Sequence, residues 1–408
     1  MRFRTAVIWN VISQFGQSGI TMLSTVILAR MLTPDDFGLI GIVTIFIAIS
    51  QMMVDSEMGG SLLRKKDADK TDYSTLFWYN LAVSLLIYII LYISAPYLSS
   101  FYHRPELTDV IRLISVCVVI HAFRVVQFII ILRNLQFRSY AVINVVSGVI
   151  SLIAAIIIAK SGYGYWALVW QPIVVASLIV LLMSLHNRFM PAFVFSRESF
   201  RYQFRFGIGL LGGNFVMTIA NNISANIIAK ISTLQFTGYF TQTNRLTTFC
   251  QTSLASIFNQ SIFPMMAKFE RMEEVKELYH KLLRNLVIGL GGLTVLILLF
   301  APFIIKIALG ESWEGAIPIF RILSLTILPA SLQVLCRNVM KALGTTKKVL
   351  HIDTLISILL ILFLTAGSFL STYLLLWGIV AAQVAGALTW TFVVSSRLDR
   401  SANENLMP

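Results

Sequence analysis

Charged residues are scarce in this chain, and acidic residues are the scarcest. Only 12% of its 408 residues are charged, whereas 57% are hydrophobic. A soluble protein of this length needs far more polar surface, so the composition excludes that class and indicates an integral membrane protein. The apolar runs are continuous rather than alternating, which excludes outer-membrane strands and predicts an all-α protein.

Cysteine is almost absent as well. Cys117, Cys250 and Cys336 are the three cysteines. They lie in or beside apolar segments with no metal-ligand spacing, so we expect small core residues and no metal site. The first apolar stretch is too long for a cleaved signal peptide and lacks a small-residue cleavage site, so we expect it to be retained as a span.

Long apolar runs are what the chain has in abundance. A helix needs about 20 apolar residues to cross the bilayer core, and about 12 stretches meet that length. Their approximate limits are 6–28, 37–56, 76–95, 108–131, 140–159, 164–185, 206–229, 237–262, 286–307, 316–336, 349–368 and 373–396. The loops between them are short, so we expect about 12 transmembrane helices without a soluble domain.

Basic residues are distributed unevenly between alternate loops. With the N-terminus in the cytoplasm, 23 of the 32 lysines and arginines lie in cytoplasmic segments and five lie on the opposite side. Such a bias sets the orientation of membrane proteins, so both termini are predicted to be cytoplasmic. Orientation also accounts for most of the net charge of +13, which removes the need for a nucleic-acid partner.

The chain also contains an internal repeat. The stretch "LARMLTPDDFGLI" at 28–40 resembles "IAKISTLQFTGYF" at 228–240, and three further stretches match in order, at offsets that grow to 211. Six spans is an even number, so the halves are expected to be two parallel six-helix lobes around a central cavity, as in a transporter. The predicted divisions are an N-terminal lobe at 1–185, a cytoplasmic linker at 186–205, a C-terminal lobe at 206–396 and a cytoplasmic tail at 397–408.

Arginines inside the spans are the first candidates for substrate binding. A charge at the bilayer centre costs roughly 2.5 kcal/mol or more, so Arg124 and Arg245 should face protein or water rather than lipid. The ring of His121 lies one turn before Arg124 on the same helix face. His121 therefore either shares the substrate site or only hydrogen-bonds to the arginine.

Side-chain amides are the second set of candidates. They are Asn10, Gln14 and Gln17 in the first span, Asn214 and Asn221 in the seventh, and Gln242 and Asn244 in the eighth. Amides both donate and accept hydrogen bonds, so faces of this kind suit sugar hydroxyls. The alternative is bonding between helices, which is worth about 0.6 kcal/mol per bond in membranes.

Four basic residues lie near the predicted outer surface. Arg112 and Arg321 are repeat mates near the outer ends of their spans, and Arg30 and Lys230 are repeat mates in outer loops. These four residues are either an outer gate or structural, since basic side chains at span ends also extend to the interface or form ion pairs.

Carboxylates are nearly absent from the spans. Asp55 and Glu57 lie at the cytoplasmic end of the second span, where they either couple transport to protons or cap the helix and pair with Arg64. Asp353 lies near the cytoplasmic start of the eleventh span. The cavity is therefore expected to be positive and its substrate anionic, and the guanidinium fork suits phosphate.

Two stretches carry a resemblance to a known family. "ARMLTPDDFGLIG" at 29–41 resembles the loop between the first two spans of Wzx-type polysaccharide flippases, in the multidrug/oligosaccharidyl-lipid/polysaccharide (MOP) exporter superfamily. "SLLRKKDADKTDYSTLFWYNL" at 61–81 is similar to that family's segment leading into the third span. The resemblance implies translocation of undecaprenyl-diphosphate-linked oligosaccharides for O-antigen, capsule or exopolysaccharide synthesis. It also implies membrane lipids and polysaccharide polymerase or assembly proteins as partners.

Two other classes stay open at this point. A drug or cation antiporter of the same superfamily needs carboxylates within the membrane, and the first and seventh spans contain none. A membrane glycan polymerase or ligase needs a substantial outer loop. The longest such loop, 96–107, offers only His103 and Glu106, in no catalytic spacing. We therefore expect a transporter, with no catalytic residues and no cofactor.

Overall fold

A computed structural model describes residues 2–55, 58–266 and 272–404. Within these ranges the side chains of 2–8, 10–15, 209–211, 254, 256–266, 346–347 and 400–404 are not described. The described residues form helices and contain no strand, which confirms the all-α fold.

The chain forms fifteen α-helices over the described residues. The first eight are α1 Arg2–Ala29, α2 Pro34–Asp55, α3 Met58–Arg64, α4 Lys70–Tyr102, α5 Leu107–Ile114, α6 Val116–Arg133, α7 Phe137–Lys160 and α8 Trp166–Asn187. The others are α9 Arg197–Ile231, α10 Leu234–Met266, α11 Met272–Ala308, α12 Ile317–Ser324, α13 Ile327–Ala342, α14 Thr346–Ser368 and α15 Thr372–Glu404; a 3₁₀ turn at Glu311–Ala316 precedes α12.

Every predicted apolar stretch overlaps at least one of these helices. In the described part of the chain, nine segments are long and apolar enough to cross a membrane, or ten if the bent α9 is included. The protein is therefore a multi-pass membrane protein, and twelve as the exact number of spans stays a prediction.

The repeated stretch that opens each half of the sequence begins a helix in the same way. The Thr33 hydroxyl accepts a hydrogen bond from the backbone of Asp36 at 3.4 Å, and the Thr233 hydroxyl accepts one from the backbone of Phe236 at 3.1 Å. Each threonine thereby satisfies a backbone N–H that the first helical turn leaves without a partner. The sequence repeat is thus also a repeated helix cap, at the starts of α2 and α10.

A second repeated feature is a break inside a span. The backbone N–H of Val118 bonds to Ser115 between α5 and α6, and that of Leu325 bonds to Ile322 between α12 and α13. These i→i−3 bonds tighten the chain locally and separate two α-helical segments of one span. Because the breaks lie 210 residues apart, within the range of offsets in the sequence, they support the internal repeat.

The helices fall into two compact units, Met1–Asn222 and Ile223–Pro408. In the first unit, α6 packs against α2, α4 and α8; in the second, α13 packs against the matching helices α10, α11 and α15. The segment predicted as a linker, 186–205, lies within the first unit. The lobe boundaries stay a prediction.

One face of α4, in the first unit, carries an exposed apolar stripe. Leu86, Ile93 and Tyr97 are 60%, 61% and 75% exposed, whereas Ile87, Leu91 and Ala95 on the opposite face are buried. A continuous apolar stripe of this kind is unfavourable in water and favourable against lipid tails. The stripe therefore marks a lipid-facing side of the first unit.

Candidate functional site

A carboxylate and an imidazole meet inside the first unit, at the point where α2 ends. The Asp55 Oδ1 atom lies 2.8 Å from the His121 Nε2 atom of α6. Asp55 is the last residue of α2, and its place at the cytoplasmic end of the second span stays a prediction.

Pairing with Arg64 was one of the alternatives for the two carboxylates, and among the described residues Asp55 pairs with His121 instead. The exposed Arg64 guanidinium lies over the Phe206 ring, 5.0 Å from its centroid. A cation at such a position is attracted to the face of the aromatic ring. Glu57, the second carboxylate proposed for coupling, lies outside the described residues.

The other predicted member of this cluster, Arg124, lies on α6 one turn beyond His121. It is half-buried, and its Cζ atom lies 5.8 Å from the centroid of the Phe128 ring. His121 bonds to Asp55 rather than to Arg124. The structure thus brings Asp55, His121 and Arg124 to one region of the first unit, with one carboxylate among two potential cations.

The predicted amides are placed less uniformly. Gln17 and Asn221 are exposed, whereas Asn214 and Asn244 are half-buried. Gln242 is fully buried, and its Nε2 and Oε1 atoms have no hydrogen-bond partner among the described residues. Asn10 and Gln14 lie where no side chain is described. Arg245, next to Asn244 on α10, is exposed.

The four basic residues assigned to the outer side fall into two groups. Arg112 lies over the Tyr92 ring, with its Cζ atom 4.4 Å from the centroid, so it joins α5 to α4. Its repeat mate Arg321 is exposed, as are Arg30 and Lys230. Arg112 and Arg321 thus have different surroundings, whereas Arg30 and Lys230 are both exposed. The role of these four residues as a gate stays a prediction.

A cluster in the second unit was not foreseen as a whole from the sequence. The buried Asp353 carboxylate accepts hydrogen bonds from Arg337 Nε at 2.7 Å and from Trp390 Nε1 at 3.2 Å. The Arg337 guanidinium also donates to Gln333 Oε1 at 3.2 Å, and Gln333 donates to Gln383 at 2.8 Å. The network joins α13, α14 and α15. Its hydrogen bonds offset the cost of burying a carboxylate.

A separate cluster in the first unit surrounds the buried Asp72. The sequence did not predict this cluster. Its carboxylate accepts from Lys65 Nζ at 2.7 Å and from the Ser199 hydroxyl at 2.6 Å. The hydrogen bond that the Lys65 ammonium donates to the Asp72 carboxylate raises the pKa of Lys65. Asp69 and Asp72 form a reciprocal helix cap at the start of α4, and the spacing Asp-x-x-Asp is the signal that marks it in the sequence.

The described residues contain no group of three or more His, Cys, Asp or Glu side chains arranged to hold a metal ion. Cys117 and Cys336 are buried free thiols, which agrees with their expected place in the core.

The described helices and their apolar segments define a class: a multi-pass helical membrane protein. Residues 27–318 match the family described as "Polysaccharide biosynthesis protein", and this match covers more than half of the chain. The chain belongs to that family of polysaccharide biosynthesis proteins.

Individual relatives agree with this membership. The chain is 25% identical over 328 residues to the succinoglycan biosynthesis transport protein ExoT of Rhizobium meliloti (strain 1021), an alignment that covers 78% of this chain and 65% of that protein. It is 22% identical to the lipopolysaccharide biosynthesis protein WzxC of Escherichia coli (strain K12), over 77% of this chain and 65% of the relative. The matched region thus spans slightly less than two thirds of the curated relatives.

Solved structures share the fold. The lipid II flippase MurJ, in an inward closed conformation, superposes with a TM-score of 0.78 over 95% of this chain and 87% of its own, at 13% identity. An inward-facing multidrug resistance transporter of the MOP superfamily superposes with a TM-score of 0.70 over 97% and 98%, at 14% identity. At these identities the likeness concerns the fold alone.

Proposed function

We propose that the protein is a flippase that moves undecaprenyl-diphosphate-linked oligosaccharides from the inner to the outer leaflet of the bacterial inner membrane. The observation that carries this proposal is membership of the polysaccharide biosynthesis family over residues 27–318. Relatives named as transport and lipopolysaccharide biosynthesis proteins support it, as does a shared fold with a lipid flippase.

The physical task of such a protein is to lower the cost of moving a polar head group through hydrocarbon. An unsatisfied hydroxyl in the bilayer core costs on the order of 2–7 kcal/mol, and an unpaired charge costs far more. Arg124 and Arg245 are proposed to pair with the diphosphate, and the amides Asn214, Asn221 and Asn244 are proposed to bond to sugar hydroxyls. The polyprenyl tail stays in lipid, and no covalent bond is made or broken.

The same proposal includes an orientation and partners. The positive-inside bias supports cytoplasmic termini, with alternating access between the two membrane faces. Polysaccharide polymerase and assembly proteins are the proposed partners after translocation, and the Asp55–His121 pair is the proposed coupling site. A drug antiporter of the same superfamily is the alternative, since multidrug transporters share the fold.

Translocation in sealed vesicles tests the proposal. The parent protein is expected to move a polyprenyl-diphosphate oligosaccharide between leaflets, measured by the appearance of its sugar to an external lectin or glycosidase. Arg124→Ala and Arg245→Ala are each expected to slow translocation by about tenfold or more, because each removes a charge-assisted contact worth at least about 1.4 kcal/mol.

The matched control is Arg104→Ala, which removes an exposed arginine from the loop between α4 and α5. It is expected to insert and transport like the parent. If both site variants also transport like the parent, the assignment of these arginines is wrong. If the parent moves no such lipid but exports a cationic dye, the antiporter alternative replaces the flippase.

A further inference from the structure

The N-terminal part of α9 carries an open, basic groove in the first unit. Its volume is about 740 Å³, and it is lined by Arg197, Glu198, Arg201, Tyr202, Arg205 and Phe206. We call this surface the arginine groove. Its three arginines contribute to the charge bias that sets orientation, but that bias does not explain why they line a groove.

The arginines lie on one helix face. They are spaced by four residues, which places successive side chains about 6 Å apart along the axis and on the same side of the helix. All three are exposed, and none forms an ion pair within the described residues. Glu198 is the single acid of the lining, so the groove keeps a net positive charge.

Hydrogen bonds on the opposite face fix the rotation of this helix. Ser199 and Gln203 lie about half a turn away from the arginines, and both are buried. The Ser199 hydroxyl donates to Asp72 Oδ1 at 2.6 Å, and Gln203 Nε2 donates to the Asp72 carbonyl at 3.1 Å. Because these bonds attach α9 to the start of α4, they hold the arginine face outward.

A second contact closes the end of the groove. The Phe206 ring lies 3.0 Å from where a Cβ on Gly60 of α3 would be, and the Arg64 guanidinium lies over the same ring. Phe206 is therefore held against α3 from one side and by a cation from the other. Orientation alone requires only that basic residues lie on one side of the membrane, and it does not require this anchored arrangement.

The position of the groove connects it to the predicted transport path. The α9 helix bends by 53° between Arg197–Ile208, which bears the arginines, and Gly212–Ile231, which bears the candidate amides Asn214 and Asn221. Aromatic residues such as Tyr202 and Phe206 favour the boundary between membrane and water. Three guanidinium forks at this boundary match the several oxygens of a diphosphate.

We propose that the arginine groove binds the diphosphate of the lipid-linked substrate at the cytoplasmic membrane surface, before translocation. This inference rests on the proposed flippase function and names the place where its substrate is first bound. The shared chemistry with anionic phospholipid head groups makes those lipids the competitor that a test must distinguish.

Equilibrium binding of a radiolabelled polyprenyl diphosphate tests the inference. The full chain is reconstituted in phosphatidylcholine nanodiscs as the parent, as the triple variant R197Q/R201Q/R205Q, and as a charge-matched control. The control is K281Q/R284Q/K341Q, which removes three exposed basic residues of the second unit that make no ion pair within the described structure. Thermal unfolding verifies that each variant is folded.

The groove variant is expected to bind about tenfold more weakly or worse, since it loses at least one charge-assisted contact, whereas the control binds within about twofold of the parent. Equal binding by the groove variant and the parent overturns the inference. Displacement of the ligand by equimolar phosphatidylglycerol also overturns it, because the groove is then a general anionic-lipid site.

Vesicle translocation by the parent separates this test from that of the proposed function. If the parent transports the lipid-linked oligosaccharide and the groove variant binds as well as the parent, only the groove assignment fails. If the parent neither binds the polyprenyl diphosphate nor transports the oligosaccharide, the flippase proposal fails and the groove assignment fails with it.

Discussion

At the scale of single residues, the Asp55–His121 pair is the contact best suited to proton transfer, because both side chains can bind and release a proton. The Asp55 side chain is 54% exposed and the His121 side chain is 11% exposed, so the carboxylate is accessible while the imidazole is largely enclosed. Ionisable residues in membrane spans are costly to bury, and those that occur there commonly belong to functional sites such as proton relays. The pair therefore deserves a test as the coupling site.

Asp55→Asn is expected to remove the stimulation of transport by an imposed proton gradient, while slow exchange without a gradient continues. The amide keeps the shape of the carboxylate but cannot be charged, so it no longer responds to protons. The measurement is the ratio of translocation rates in vesicles with and without the gradient. Asp109→Asn, at an exposed carboxylate in α5, is the control; if it behaves in the same way, coupling does not reside at Asp55.

Residue contacts were also where the sequence predicted least. Pairing of Asp55 with Arg64 was considered because the two are close in the chain, whereas the observed partner His121 is 66 residues away on α6. Gln242 was grouped with Asn244 because they are near in sequence, yet Gln242 is buried and Asn244 is half-buried. Such pairings depend on which helices pack together, and helical periodicity in one segment does not contain that information.

At the scale of helices, a threonine caps a helix in each unit, and Thr33 also donates to the Asp36 carboxylate at 2.8 Å. Thr33→Ala and Thr233→Ala are each expected to lower the free energy of unfolding by about 1 kcal/mol, the usual cost of losing a helix cap. Thermal unfolding in detergent measures the effect. Thr33→Ser and Thr233→Ser keep the hydroxyl and should remain within about 0.5 kcal/mol of the parent. A serine variant as unstable as the alanine variant would contradict the cap.

The Asp353 cluster joins three helices of the second unit, so we expect its loss to lower the free energy of unfolding by more than the loss of a helix cap does. Asp353→Ala leaves Arg337 without its carboxylate and Trp390 without its acceptor. A fully buried pair broken in this way costs about 3–5 kcal/mol; the Arg337 side chain is 29% exposed, so we expect about 2–3. Ser357→Ala, one turn further along α14, is the control and should cost less than about 1 kcal/mol. Equal costs for the two variants would mean that the network adds no stability.

Helices were also the features that the sequence predicted best. Long continuous apolar runs leave no other structure possible in a membrane, since every backbone N–H and C=O must be bonded within its own segment. The break at Ser115 and the bend of α9 were not predicted. Local hydropathy stays high through such a break, so the apolar runs do not reveal it.

At the scale of the whole molecule, the repeat was visible in the sequence because its offsets vary little, and the structure shows matching helix neighbours in each unit. Membership of the polysaccharide biosynthesis family agrees with that architecture. The identity of the substrate cannot be read from the sequence in the same way, because a lipid head group is recognised by a few side chains from separate helices. Those side chains need not share a local sequence pattern.

Orientation in the membrane is the property of the whole molecule that the charge bias predicts most sharply. The two ends of α4 are suited to a test of orientation. The helix is 33 residues long and about 50 Å in length, so its ends are expected on opposite sides of the membrane. Single cysteines replace the exposed residues Asp67, before α4, and Glu106, after it. In intact cells a membrane-impermeant maleimide should label Glu106→Cys and should label Asp67→Cys only after permeabilisation. The native Cys117 and Cys336 are buried, and the half-buried Cys250 is replaced by alanine in both variants to keep the background low. The reverse pattern would place the arginine groove on the outer face, where a substrate synthesised in the cytoplasm cannot first bind.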